Sequence, residues 1–385
     1  MTAAPRVEGF AHPSFEPLRE LLQSRLDAGD DAGASLAVIR DGETLADLWG
    51  GTARPGMPWQ EDTITQVWSI TKTMAALTVL VLADRGVIDL EAPASTYWKA
   101  LADGPSGDRV LVRHLLAHTS GLPGWTDPLD VEGLLDLERS EAMLAAQEPW
   151  WEPGTASGYC MISYGHLLDA VVRGATGRPL SEVFREEIAV PLGADFHLGV
   201  PADALERCAD LIAPTERLDL PPLAEDNQLI RTLTNPLLDV GGFCNSAPWR
   251  QVSVAGANGH GNARSIARIQ SVISHGGEVD GVRLLSPAMI DRLLQPEASG
   301  LDLVIPAELT WGLGYALIPP VAAPDLPAAE RRCWWTGYGG AIVINDLDRR
   351  TTIAYAMNKL GAHLISSPRT DDYVLTAYRC LEETS

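Results

Sequence analysis

Apolar residues recur at helical spacing in several stretches of the chain. Four leucines, Leu18, Leu21, Leu22 and Leu26, predict an amphipathic helix over 15–26. A longer and almost purely apolar run predicts a helix over 69–85 that ends at Gly86. The same criterion predicts five more helices, at 113–118, 163–174, 265–275, 287–294 and 371–381.

Strand patterns lie towards the two ends of the chain. The apolar runs 34–39 and 43–49 flank Asp41-Gly42, a strong signal for a hairpin turn. A second pair, 341–345 and 351–357, is joined by the polar turn 346–350. This order predicts an α+β fold in which strands from both ends share one antiparallel sheet flanked by helices.

The middle of the chain carries short helical segments, Pro and Gly in place of strands. We therefore predict a helical domain, 98–244, inserted into a discontinuous α/β domain formed by 1–97 and 245–385.

Composition and charge narrow the function. The 385 residues include 51 acidic and 29 basic side chains, a net charge of -22, which disfavours nucleic-acid and anionic-membrane partners. The five cysteines are scattered without C-x-x-C spacing, as expected for reduced thiols and not for a metal site. No signal sequence is recognisable, and the apolar run 74–83 is too short to span a bilayer. We expect a cytoplasmic protein with a small-molecule partner; the oligomeric state is left open.

The clearest chemical motif is Ser69-Ile70-Thr71-Lys72 at the start of the apolar helix. Positions i and i+3 share a helix face, so the hydroxyl and the amine can meet. A serine hydroxyl needs an adjacent base, and a buried lysine can serve because burial favours its neutral form. A serine that merely begins a helix would explain this four-residue pattern equally well, although the chain contains no other S-x-x-K.

Two further segments carry candidate chemistry. Tyr159 follows the loop Pro153-Gly154-Thr155 and precedes a predicted helix, where its phenol could exchange a proton with the first motif. The glycine-rich segment 334–340 leads into a predicted strand and could present a backbone N–H to an oxyanion. Each segment, taken alone, also has a structural explanation. Tyr159 could pack its ring and hydrogen-bond its hydroxyl locally, and 334–340 could be a tight turn flanked by core aromatic residues.

One histidine pair has the spacing of a possible metal site. His114 and His118 are four residues apart, but Leu115 stands where the H-E-x-x-H pattern requires glutamate. Helix-end histidines are the better interpretation, and we expect no metal or organic cofactor.

In their order, S-x-x-K, P-G-T-x-x-x-Y and Trp-x-Gly resemble the motifs of the serine β-lactamase and penicillin-binding-protein superfamily, class C branch. The resemblance is greatest to the family VIII carboxylesterases and spans most of the chain, supported by the stretches 115–122, 195–199 and 354–358. It implies that Ser69 is the acylated nucleophile, Lys72 its base and Tyr159 the proton shuttle. It also implies an oxyanion hole formed by the backbone N–H groups of Ser69 and Tyr338.

The sequence departs from the lactamase pattern at two positions. Met161 stands where those enzymes carry an asparagine, and Trp335 replaces a cationic residue. Both changes make the site more apolar, which favours neutral esters over β-lactams. We therefore predict that the substrate is contacted by four residues, namely Trp335, Gly337, Met161 and Trp125.

The sequence as a whole predicts a serine carboxylesterase that hydrolyses short-chain or small neutral esters through an acyl-enzyme. Three alternatives remain open on the same fold: a β-lactamase, an amide hydrolase or acyltransferase, and a non-catalytic ligand-binding protein. A cell-wall peptidase is less well supported because no export signal is recognisable.

Overall fold

A computed structural model describes residues 6–218, 223–224, 226–317, 326–365 and 367–383. Its main feature is one antiparallel sheet with the strand order β1-β3-β2-β13-β12-β11, to which β4 is added beside β3. The described strands are β1 Glu8–Ala11, β2 Gly33–Arg40, β3 Glu43–Arg54, β4 Met57–Pro58, β5 Thr65–Gln66, β6 His260–Gly261, β7 Glu278–Val279, β8 Val282–Arg283, β9 Ala298–Leu301, β10 Glu308–Trp311, β11 Arg332–Thr336, β12 Ile342–Asp346 and β13 Thr351–Met357.

The centre of the sheet joins the two ends of the chain. Strand β13 pairs with β2 from Thr351 opposite Arg40 to Met357 opposite Ala34. The β2–β3 hairpin turns at Asp41 and Gly42, whose φ values of 50° and 81° suit the mirror-image turns that match strand twist. The predicted shared antiparallel sheet is confirmed.

Helices cover both faces of this sheet. Successive side chains of a strand point to opposite faces. On β13, Thr352 bonds to Ser274 on one face, whereas Tyr355 stacks on Tyr373 on the other. The helices are α1 Glu16–Ala28, α2 Thr71–Asp84, α3 Lys99–Ala102, α4 Val112–Leu116, α5 Val131–Leu135, α6 Leu137–Ala146, α7 Ser163–Thr176, α8 Leu180–Phe184, α9 Gln228–Thr234, α10 Ala247–Gln251, α11 Ala263–Ser274, α12 Pro287–Leu293 and α13 Pro368–Glu383.

Helix α2 is buried on all sides. Every residue from Thr71 to Leu82 is buried, as expected of a helix that is apolar around its whole circumference. The helix contacts α7 and α8 from the middle of the chain. The helix is therefore fixed in position by packing on every side.

The structure adds elements that the apolar pattern did not predict. Residues 332–336 form strand β11, so the aromatic pair Trp334-Trp335 belongs to the sheet, and Gly337–Ala341 is the turn into β12. Helices α5 and α6 were also not predicted. The domain boundaries 1–97, 98–244 and 245–385 stay a prediction.

Candidate active site

Ser69 and Lys72 lie at the head of helix α2, where a 3₁₀ turn at Trp68–Ile70 leads into the α-helix. Lys72 Nζ is 3.0 Å from Ser69 Oγ, as the i, i+3 spacing predicts. Trp68 has a left-handed φ of 48°, which costs a non-glycine residue on the order of 1 kcal/mol. Strain of this kind is concentrated at functional sites, and here it directly precedes Ser69, the predicted nucleophile.

The environment of Lys72 prepares its amine to act as a base. The side chain is 1% exposed, and Nζ lies 2.7 Å from each of the Met161 and Gly256 carbonyl oxygens. Burial lowers the pKa of Lys72 well below its ordinary 10.5. A neutral amine has two N–H groups and one lone pair. The two carbonyls can only accept, so they occupy both N–H groups and the lone pair faces Ser69.

Tyr159 completes the polar group. Its hydroxyl accepts from Trp335 Nε1 at 3.0 Å. Lys72 Nζ lies 4.7 Å from the centroid of the Tyr159 ring. Burial raises the pKa of Tyr159 above its ordinary 10.0. Because the phenol stays protonated where the amine is neutral, the geometry suits Lys72 as base and Tyr159 as proton relay.

The backbone N–H groups of Ser69 and Tyr338 are the predicted oxyanion donors. In the described part of the chain, neither the Ser69 N–H nor the Tyr338 N–H has a hydrogen-bond acceptor. A Cβ atom on Gly337 would lie 2.3 Å from the Val67 carbonyl oxygen. Only glycine therefore lets this turn approach the residues before Ser69. The rings of Trp68 and Tyr338 pack edge-to-face with centroids 5.6 Å apart, and the pair of donors suits an oxyanion.

A cavity of about 300 Å³ opens above Ser69. This volume lies at the small end of the range for ligand pockets. No charged side chain is among the described residues that line it. These residues are Trp68, Ser69, Tyr159, Met161, Ile162, Leu218, Thr232, Leu233, Thr234, Pro236, Leu237, Leu238, Val240, Ile305, Tyr338 and Leu364.

The four residues predicted to contact substrate have different positions. Met161 lines the cavity, whereas Gly337 supports the turn that carries Tyr338. Trp335 is not among the described lining residues, since its indole lies behind Tyr159 and donates to the phenol. Trp125 is also absent from that lining; it is buried, and its Nε1 donates to the Ser140 carbonyl at 2.8 Å.

Several residues of the site have no signal in the sequence. Gly256 contributes only a carbonyl oxygen to Lys72. Asp302, far along the chain, accepts from the backbone N–H of Tyr159 at 2.9 Å. His118 is buried with its ring 4.8 Å from that of Tyr159, and burial lowers its pKa well below 6.5. A pattern search cannot find contacts made through backbone atoms or across such separations.

Among the described residues, no group of three or more His, Cys, Asp and Glu side chains could hold a metal ion. The five cysteines are buried. Within the same ranges, no helix has the length and apolar character needed to cross a membrane.

Comparison with known proteins gives one consistent family. The β-lactamase family model matches residues 18–374. Esterase/beta-lactamase LipL of Mycobacterium tuberculosis is 34% identical over 383 residues, covering 94% of this chain and 85% of that protein. Esterase EstB of Burkholderia gladioli is 29% identical over 83% of this chain and 86% of its own.

Solved structures agree with the sequence comparison. A family VIII carboxylesterase superposes with a TM-score of 0.89 at 33% identity, covering 97% of this chain and 99% of the other. A penicillin-binding protein homologue from Caulobacter crescentus gives the same TM-score at 32% identity, with the same coverage. Both the predicted fold and the predicted resemblance are confirmed.

Proposed function

Because this chain belongs to the β-lactamase family and is a serine hydrolase of that fold, we propose that it is a carboxylesterase for small neutral esters. In this proposal Ser69 forms the acyl-enzyme, Lys72 is the base and Tyr159 relays the proton. Assignment to the family VIII subtype and location in the cytoplasm are parts of the same proposal.

The observation that carries the substrate class is that no charged side chain is among the described residues lining the cavity. Penicillins and cephalosporins carry a carboxylate, which would be costly to bury without a cationic partner. The described lining offers none, because Leu, Ile, Val, Met and aromatic side chains form most of it. A neutral ester has no such requirement. The small cavity volume further favours a short or compact acyl group.

Acylation follows from the distances around Ser69. Ser69 Oγ attacks the ester carbonyl carbon while its proton moves to Lys72 Nζ, 3.0 Å away. The carbonyl oxygen gains the negative charge and accepts hydrogen bonds from the backbone N–H groups of Ser69 and Tyr338. When the carbon–oxygen bond breaks, the leaving alkoxide takes a proton from Tyr159, which regains one from Lys72. The products are the alcohol and the acyl-enzyme.

Deacylation uses the same groups in reverse. Water attacks the acyl carbonyl carbon, and its proton passes to the Lys72–Tyr159 pair. The tetrahedral intermediate then expels Ser69 Oγ, which recovers a proton from that pair as the acid leaves. The cycle restores every proton to its starting atom, so Lys72 must be neutral at its beginning.

β-Lactam hydrolysis is the second candidate, because a relative at 34% identity is named as an esterase/beta-lactamase. The chemistry of the acyl-enzyme is the same for both substrates. Acyl transfer to an alcohol would also use this acyl-enzyme, with the alcohol in place of water. The uncharged cavity lining ranks these activities below ester hydrolysis.

The first test measures turnover of a short-chain nitrophenyl ester and of a chromogenic cephalosporin. We expect rapid ester turnover and little cephalosporin turnover by the native protein. Ser69→Ala should abolish ester turnover, whereas Ser181→Ala, at a serine in the first turn of helix α8, should retain it. Faster cephalosporin than ester turnover would instead make the protein a lactamase. Failure of both substrates to acylate Ser69 would favour a non-catalytic binding protein.

A further inference from the structure

Asp302 is a buried carboxylate in the loop between strands β9 and β10. Its side chain is only 3% exposed. One oxygen, Oδ1, accepts three backbone N–H groups, from Tyr159 at 2.9 Å and from Val304 and Ile305 at 3.0 Å each. An acceptor of three N–H groups fixes the relative positions of the segments that donate them.

The bonds to Val304 and Ile305 are local and would be explained by stabilisation of the loop alone. The bond to Tyr159 is different, because it crosses 143 positions of sequence to the segment that carries the phenol. A second cross-link runs in parallel, from the Leu303 N–H to the Ser157 carbonyl at 2.9 Å. The loop is therefore attached to the segment 157–159 at two points.

The second carboxylate oxygen of Asp302 reaches the aromatic packing around the phenol. Oδ2 accepts from Trp311 Nε1 at 3.3 Å. The ring of Trp311 lies nearly parallel to that of Tyr159, at 6° with centroids 5.9 Å apart. Asp302 thus constrains both the backbone of Tyr159 and a ring that packs against its side chain.

The same loop also forms part of the substrate cavity. Ile305, whose N–H is bound by Asp302, is among the lining residues. A single carboxylate therefore connects the proton relay to the cavity wall. Among the described side chains, Asp302 forms no ion pair, so its contacts are these hydrogen bonds.

We infer that Asp302 is a positioning residue that holds Tyr159 in reach of the leaving group and sets Ile305 against the acyl chain. This inference rests on the proposed esterase function. It goes beyond it by assigning a role to a residue outside the three motifs. It also predicts which esters depend on that role.

The dependence follows from leaving-group chemistry. Nitrophenolate is a stable anion and leaves without a proton, whereas an alkoxide needs one from Tyr159. Displacement of Tyr159 should therefore slow hydrolysis of an ethyl ester more than that of a nitrophenyl ester of the same acid. A general loss of folded protein would lower both rates equally.

The experiment compares native protein, Asp302→Ala and Asp302→Asn on these two esters. For Asp302→Ala we expect kcat/KM to fall about 100-fold on the ethyl ester and about tenfold on the nitrophenyl ester, within the range of general acid catalysis. Asp302→Asn keeps an acceptor for the three N–H groups and should lose less. Asp84→Asn is the matched control, because Asp84 accepts the N–H and hydroxyl of Ser286 at the far end of helix α2.

Circular dichroism establishes whether each variant is folded. If Asp302→Ala does not fold, the comparison of the two esters rests on Asp302→Asn. Equal losses on the two esters, or no loss in either variant, would overturn the positioning role. The proposed function is judged separately, by comparing native protein with Ser69→Ala. An active native enzyme whose Asp302 variants keep the native ratio of the two rates would refute only this inference.

Discussion

The two walls of the cavity are built in different ways. On the proton-transfer wall, Lys72 has three hydrogen-bond partners, and Tyr159 is fixed through both its hydroxyl and its backbone. The other wall is formed by Thr232, Leu233 and Thr234 of α9 and by apolar side chains of the irregular segment 235–240, where Leu237 is 72% exposed. Hydrogen bonds fix the reacting groups closely, whereas the substrate wall depends on packing that tolerates changes of shape.

Even the irregular wall has a few polar anchors. Asn235 accepts the Leu129 N–H at 2.7 Å and donates to the Trp125 and Asp127 carbonyls at 2.9 Å. These bonds hold the segment's backbone without specifying the side chains that face the cavity. The comparison therefore predicts large losses of rate from changes at the first wall and altered selectivity from changes at the second.

The largest expected effect comes from removing the base. Lys72→Met keeps an unbranched side chain of similar size but deletes the amine, and we expect kcat/KM for nitrophenyl esters to fall about 10⁴-fold. Steady-state kinetics on protein shown to be folded would measure this loss. Lys99→Met is the matched control, because Lys99 lies exposed on helix α3. A loss below about tenfold at Lys72 would assign the base elsewhere and remove the contrast between the walls.

The next effect tests the protonation state directly. The pKa of Lys72 in the folded protein lies below the ordinary 10.5 of the unfolded chain. At a pH between these two pKa values, Lys72 is protonated in the unfolded chain and neutral in the folded protein. The free energy of unfolding should therefore rise with pH in that window, by up to about 1.4 kcal/mol per pH unit. Activity should rise in the same direction because the neutral amine is the reactive form.

Urea unfolding of native protein and Lys72→Met at several alkaline pH values below 10.5 would isolate this contribution. The difference between the two free energies of unfolding should increase with pH, since the variant lacks the titrating group. A constant difference would mean that Lys72 keeps its ordinary pKa. An activity that falls as the pH rises to 10 would mean that the neutral amine of Lys72 is not the reactive form.

The two walls also differ in how far the sequence predicts them. Ser69 and Lys72 follow from helical spacing and the apolar run behind them, and the sheet follows from Asp41-Gly42 and the terminal strand patterns. Tyr159 is identified through the family resemblance. Gly256 could not be found, because its carbonyl is a contribution that any residue type can make.

Two residues predicted to contact substrate, Trp125 and Trp335, are not among the described residues that line the cavity. Trp335 was predicted because it stands in place of a cationic residue of the lactamase pattern, yet the indole N–H of each tryptophan has a partner within the protein. Composition does not tell which face a large aromatic ring presents to a cavity. The wall at 235–240 has no periodic pattern, so its shape depends on long-range bonds such as those of Asn235.

The smallest expected effect probes this second wall. Leu237 lines the cavity mouth although most of its surface is exposed, so it can contact only the distal part of a longer acyl chain. Leu237→Ala should leave nitrophenyl acetate turnover unchanged and lower kcat/KM for the octanoate by about three- to tenfold, comparable to the loss of about 0.8 kcal/mol for each methylene no longer buried. Leu301→Ala, at an equally exposed leucine on strand β9, should change neither rate. If acetate and octanoate turnover fell together, this wall would be coupled to the proton-transfer groups, and the separation of rate from selectivity would not hold.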